Sequence, residues 1–324
     1  MKKIICLLFI AGCLSVGYSQ KTEYPYPVSY VTIGLEKQTA KMAYMDVQPK
    51  TSANSSTKTS NGQVILLFHG KNFNGYYWKD VISYLVAQGY RVIVPDQLGF
   101  GKSDKPNIHY SFSLLASNTM MLLSLLNIDK VNIIAHSMGG MLATRFALMF
   151  PEKVNKLIYE NPIGLEDYKT FVPYTAPDVQ FVDEEKSDYN SLKNYQETYY
   201  PEWRPEYEQY VAAQFDAMQI PDMKTAAWSS ALTYDMIYQQ PVVYEFKNIS
   251  VPTLIIIGQS DRTIVGKKLI PKEKLARHGQ YPELGKALNQ QIKKSTLIEL
   301  PGVGHIPHIQ APDKFKESVL KFLN

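Results

Sequence analysis

An α/β domain is what this sequence predicts, and three observations predict it. Short β-branched runs bounded by Gly, Pro or Asp recur between residues 64 and 300, and segments of helical character fall between them. One stretch, 162–246, breaks the alternation and turns to Tyr, Trp, Pro and acidic residues. Runs of the first kind suit strands buried on both faces of a parallel sheet, which needs helices to cross over between them. Alternating strand and helix is the pattern of a layered α/β domain.

In chain order, the first nineteen residues stand apart from the fold. Lys2 and Lys3 precede an apolar run from Ile4 to Val16, and Gly17 and Ser19 occupy the −3 and −1 positions of a cut after Ser19. That is the layout of a secretory signal peptide, and the run is short for a bilayer span. A secreted or periplasmic mature chain is therefore expected. The competing reading takes Ile10-Ala11-Gly12-Cys13 as a lipobox and anchors the protein to a membrane through a lipid on Cys13. Ordinary cleavage is preferred, because the apolar stretch is very short if it must end before Cys13. Such cleavage removes Cys6 and Cys13, the only two cysteines, so no disulfide is expected in the mature protein.

Ser29–Leu35 and Lys41–Val47 then read as an antiparallel pair of strands. Residues 48–63 are rich in Ser, Thr and Asn, end in Asn61-Gly62, and read as an exposed connection. Val64–Phe68, Arg91–Val94, Val131–Ala135, Val154–Tyr159, Thr253–Ile257 and Thr296–Leu300 read as buried strands. Trp78–Ala87, Ser113–Leu126, Met138–Phe150 and Pro312–Leu323 read as helices. The core domain accordingly comprises 20–161 and 247–324, with 162–246 a mostly helical insertion between the sixth and seventh core strands.

Composition bounds the partners. A hydrophobic fraction of 45% and a charged fraction of 20% are those of a globular protein. A net charge of +4 without a clustered basic stripe gives no reason to expect nucleic acid. No Gly-rich phosphate loop or metal-ligand spacing stands out, so no cofactor and no metal are expected. A small-molecule substrate is the expected partner; the sequence does not set the oligomeric state.

The chemistry is concentrated in Ala135-His136-Ser137-Met138-Gly139-Gly140, where a buried strand meets a helix. Gly-x-Ser-x-Gly in that context is a nucleophile elbow, a strained turn that lifts the serine hydroxyl above the sheet. Ala135 replaces the first glycine with another small residue. The helix that follows directs its N-terminus at negative charge formed there.

With this elbow, and with Phe68-His69-Gly70, Asp96-Gln97-Leu98-Gly99-Phe100-Gly101-Lys102-Ser103 and Gly304-His305-Ile306-Pro307, the chain resembles the α/β-hydrolase superfamily across almost all of the mature sequence. The resemblance implies an eight-stranded, mostly parallel sheet with a helical lid inserted after strand six. It also implies a serine hydrolase. Its nucleophile is Ser137, its base His305 in the loop after the last strand, and its acid Asp261 just past the seventh. His308 is the nearest rival base, and Glu160 and Asp167 are rival acids, although Asn161-Pro162 fits a structural turn better. His136 is expected to pack beneath the nucleophile and His69 to shape the oxyanion loop; His109 and His278 have no supporting context. Oxyanion donors are expected from the N–H groups of Met138 and Lys71. Asn72 and Phe73 are expected to bind substrate, Asn72 as a side-chain donor. The aromatics Tyr195, Tyr199, Tyr200, Trp203, Tyr207, Tyr210 and Trp228 suit a cap over a mostly apolar pocket, though most would form the cap's own core.

Serine at the elbow argues against dehalogenase and epoxide hydrolase chemistry, which use aspartate there. Hydrolysis of a carboxylic ester or related acyl substrate asks least beyond the triad. The alternatives are a proline-iminopeptidase-type aminopeptidase, in which Asp183-Glu184-Glu185 bind an amino group, and a carbon–carbon bond hydrolase. A binding protein without turnover is the remaining reading.

Overall fold

The computed structural model describes residues 22–49 and 60–324. The expected leader, residues 1–19 with Cys6 and Cys13, lies outside the described residues, as does the middle of the 48–63 connection.

Eight strands form one sheet: β1 (Val28–Leu35), β2 (Gln38–Val47), β3 (Val64–Phe68), β4 (Arg91–Pro95), β5 (Val131–His136), β6 (Val154–Glu160), β7 (Thr253–Gly258) and β8 (Ser295–Leu300). Their order across the sheet is β1-β2-β4-β3-β5-β6-β7-β8. β2 pairs antiparallel with β1 and β4, and every other pairing is parallel. The burial patterns follow from position. Central β5 and β7 are buried at every residue, whereas β1, at the edge, alternates, because only covered strands must be apolar on both faces.

Helices α1 (Lys79–Ala87), α2 (Phe112–Leu125) and α3 (Met138–Met149) connect the first strands. Between β6 and β7 come α4 (Pro177–Glu184), α5 (Tyr189–Glu197), α6 (Glu208–Met218) and α7 (Met223–Gln239); α8 (Lys272–Leu275), α9 (Tyr281–Gln291), α10 (Pro307–Gln310) and α11 (Pro312–Leu323) follow. Side chains alternate across a strand, so Leu66 and Phe68 join one apolar cluster with α2, α3 and α9, while Ile65 and Leu67 join another with α1 and α11.

The β6–β7 segment is helical because its helices are individually specified. Asp188 and Ser191 form a reciprocal capping box on α5, and the Asp222 carboxylate accepts the Thr225 N–H to start α7. Helix α4 packs on α7, and α5 on α6. Helix α9 had no clear sequence signal. Pro282 and Gly285 interrupt its period, yet Pro suits the first turn and Gly285 lets the helix close on Ile257, whose Cγ1 lies 2.8 Å from where a Cβ would be.

Candidate active site

The residues singled out in the sequence converge at the carboxyl ends of the strands, where ligands sit in open α/β sheets. Ser137 stands between β5 and α3 with φ 56° and ψ −122°, a backbone state that costs roughly 1–3 kcal/mol for a residue with a side chain. Its surroundings hold it there. Its N–H donates to the Glu160 carbonyl (3.2 Å), and its carbonyl accepts from Gly140 (2.8 Å) and Ile163 (3.2 Å). Gly139 is needed because a Cβ there would lie 2.3 Å from the Phe68 carbonyl oxygen.

His305 Nε2 lies 3.0 Å from Ser137 Oγ, and His305 Nδ1 lies 2.6 Å from Asp261 Oδ2. A carboxylate only accepts, so Nδ1 carries the proton and Nε2 presents its lone pair to the hydroxyl. Asp261 also accepts from the Thr263 N–H and from Asn161 Nδ2, each at 2.8 Å. Burial pushes the Asp261 carboxyl up, but the charge of His305 and these hydrogen bonds together outweigh it and leave it below its ordinary value.

The remaining histidines divide by what they face. His69 donates from Nδ1 to the Gly70 carbonyl (2.9 Å) and accepts at Nε2 from the Gln97 N–H (3.1 Å); burial lowers its pKa. His136 is fully buried. The Gly70 N–H donates to Tyr77 Oη (3.0 Å), Tyr77 donates to His136 Nδ1 (3.1 Å), and His136 Nε2 donates to the His305 carbonyl (2.9 Å). Burial above all, then the neighbouring imidazoles His305 and His308, push His136 well below its usual pKa, in keeping with a neutral ring. His308 is bound to the Glu160 carboxylate at 2.8 Å, so those two rivals pair with each other. Asp167 accepts from the Lys169 N–H and from Tyr244 at an exposed turn. His278 pairs with Glu166 at 2.8 Å and stacks on Phe171, and His109 is exposed.

The loop after β3 passes beside Ser137: a Cβ on Gly70 would lie 3.1 Å from Ser137 Cβ. Lys71 follows directly, and Met138 opens α3, where first-turn N–H groups lack partners within the helix. Asn72 donates from Nδ2 to Tyr199 Oη at 2.8 Å, so this amide ties the loop to the inserted segment. Phe73 stacks on Tyr77 with ring centroids 4.6 Å apart. A cavity of about 700 Å3 opens over Ser137, with Lys71, Asn72, Phe73, Tyr195, Tyr199 and Tyr234 in its wall.

A family model described as alpha/beta hydrolase fold matches residues 63–312. The chain belongs to the α/β-hydrolase family. The fold of a probable hydrolytic enzyme from Pseudomonas aeruginosa PAO1 superimposes with a TM-score of 0.88 at 44% identity, over 93% of this chain and 96% of that one. An uncharacterised protein of Mycobacterium tuberculosis is 46% identical over 105 residues, which are 32% of this chain and only 30% of the length of that relative. The 2-hydroxy-6-oxo-2,4-heptadienoate hydrolase of Pseudomonas putida is 26% identical over 81% of this chain and 89% of its own.

Two features of this α/β hydrolase were missed in the sequence. Asn161 accepts the Gly258 N–H at 2.8 Å while donating to Asp261; the Asn-Pro pair was legible as a turn, but not as a clamp on the acid. Tyr199 accepts the His305 N–H with its carbonyl (2.8 Å) and lays its ring over the imidazole at 4.8 Å. Among the inserted aromatics, Tyr195 and Tyr199 reach the cavity wall, whereas Tyr200, Trp203 and Tyr207 pack on one another. Among the described residues no group of three or more His, Cys, Asp or Glu is placed to hold a metal.

Proposed function

We propose that this protein hydrolyses a carboxylic ester or related acyl substrate through an acyl-enzyme on Ser137. The observation that carries the reading is the continuous row Ser137 Oγ, His305 Nε2, His305 Nδ1, Asp261 Oδ2, with spacings of 3.0 and 2.6 Å. In this mechanism Oγ attacks the carbonyl carbon as Nε2 takes its proton. Asp261 stabilises the imidazolium, and the backbone N–H groups of Met138 and Lys71 receive the oxyanion. His305 then protonates the leaving group, the acyl-enzyme forms, and a water deprotonated by the same nitrogen releases the acid. The helices between β6 and β7 serve as the cap over the acyl site.

The test is hydrolysis of p-nitrophenyl esters of rising acyl length by the wild type and by Ser137→Ala. The substitution is expected to lower kcat by about 10^6-fold and to abolish fluorophosphonate labelling while leaving the fold intact. Retained turnover in Ser137→Ala overturns the reading. The likeness to the P. putida hydrolase favours a second reading, carbon–carbon bond hydrolysis by the same residues; turnover of a vinylogous diketone acid without turnover of any ester would select it.

A further inference from the structure

The cavity wall holds a polar cluster, at its α7 side, that the proposed acyl chemistry does not use. The Lys71 side chain reaches Ser230 Oγ on α7 at 2.6 Å, and Glu184 stands 3.8 Å from the ammonium, beyond hydrogen-bond length. An ammonium has three donors, and Ser230 takes one. Tyr234 lies one turn further along α7, on the same face as Ser230. Its ring is buried in the cavity wall, and its hydroxyl has no hydrogen-bond partner among the described residues. A buried donor left unpaired is costly unless a ligand takes it.

Charge points the same way. The wall carries Lys71, Lys105, Lys186, Arg262, Lys267 and Lys268 against Asp183 and Glu184. That is an excess of four, as large as the +4 of the whole chain. Both wall acids already face a cation, Asp183 at 2.6 Å from Lys268 and Glu184 beside Lys71. Lys267 and Arg262 donate to the neutral carbonyls of Arg262 and Gln259, which leaves their charge uncancelled. Even discounting Lys105, which feels Asp96 and Asp104, and Arg262, whose neighbour in the chain is Asp261, the wall stays positive. Such a wall concentrates anions.

Resting on the acyl-hydrolase reading, we infer that the substrate is an ester bearing a carboxylate, held by the Lys71 ammonium and the Tyr234 hydroxyl while its carbonyl lies at Ser137. Glu184 gives the opposite polarity a foothold, an ammonium-bearing substrate, and the experiment separates the two. Three p-nitrophenyl esters of similar length are compared: the hexanoate, the adipate monoester, and a trimethylammonium-terminated acyl ester. The adipate monoester is expected to exceed the hexanoate in kcat/KM by about tenfold, less so at high salt. Tyr234→Phe and Lys71→Met are each expected to cut that ratio by about tenfold. The ratio, unlike either rate alone, does not move with a general loss of active protein. As a readout independent of turnover, adipate and not hexanoate slows fluorophosphonate labelling of Ser137. A preference for the hexanoate or for the cationic ester, with Ser137-dependent turnover intact, overturns the carboxylate site and leaves the hydrolase reading standing. No cleavage of any ester and no labelling of Ser137 removes both.

Discussion

Two histidine–carboxylate pairs lie three residues apart after β8, His305 in the loop and His308 in α10, and only one of them is arranged as a base. His305 faces Asp261 through Nδ1 and a hydroxyl through Nε2. His308 faces Glu160 through Nδ1 at 2.8 Å, and its Nε2 lies 3.3 Å from the Tyr77 carbonyl oxygen. The nitrogens of His308 thus face a carboxylate and a backbone carbonyl, and neither stands opposite a hydroxyl. Its backbone N–H also donates to Glu160, and its ring stacks on Trp78 at 4.4 Å. Burial and an acidic partner are common to the two pairs. What separates the two histidines is the group opposite the second nitrogen, a hydroxyl for His305 and a carbonyl for His308.

The sharpest way to break this comparison is to remove each carboxylate in turn. Asp261→Asn is expected to lower kcat about 10^4-fold, since it favours the wrong imidazole tautomer, with the fold retained. Glu160→Ala is expected to act on stability. It removes the buried carboxylate that holds both the ring and the backbone N–H of His308, at a cost of about 3–5 kcal/mol in denaturant unfolding, while turnover per folded molecule falls far less than in Asp261→Asn. If Glu160→Ala matched Asp261→Asn in kcat, the division between the two pairs would fail. A smaller effect belongs to Asn161→Ala, which removes one of the hydrogen bonds that orient Asp261. A loss of about tenfold in kcat with KM little changed is expected, read from steady-state rates beside Asp261→Asn.

The same contrast explains what the sequence made legible. Ser137 and His305 were visible because each sits in a local backbone signature: a small-residue turn between strand and helix, and a Gly-flanked loop after a strand. Asp261 followed from the resemblance and its place after β7. The strands were readable because burial on both faces leaves few residue choices, as in Val131-Asn132-Ile133-Ile134-Ala135. The supporting residues were not. Asn161, Tyr77 and Tyr199 act through contacts across 97, 59 and 106 or more positions of chain, or through a backbone carbonyl that any residue could supply. No local pattern encodes such a contact. The His308–Glu160 pair was open for the same reason: each residue alone looks like a candidate for the triad, and only the fold shows that they meet each other across 148 positions.

Acid titration gives the smallest expected effect and sharpens the comparison from the other side. The Asp261 carboxyl is held below its ordinary value in the folded protein, so the native state favours its charged form more than the unfolded chain does. A depressed carboxyl contributes stability that is complete above the unfolded value, about pH 4, and that is lost as pH falls through the lower folded value. Asp261→Asn cannot titrate there. The gap in unfolding free energy between wild type and Asp261→Asn should therefore shrink as the pH falls below about 4, followed by urea unfolding at each pH. A gap that widened below about pH 4 would mean that burial, rather than His305, Thr263 and Asn161, governs this carboxylate. The row from Asp261 to Ser137 would then lose its electrostatic support.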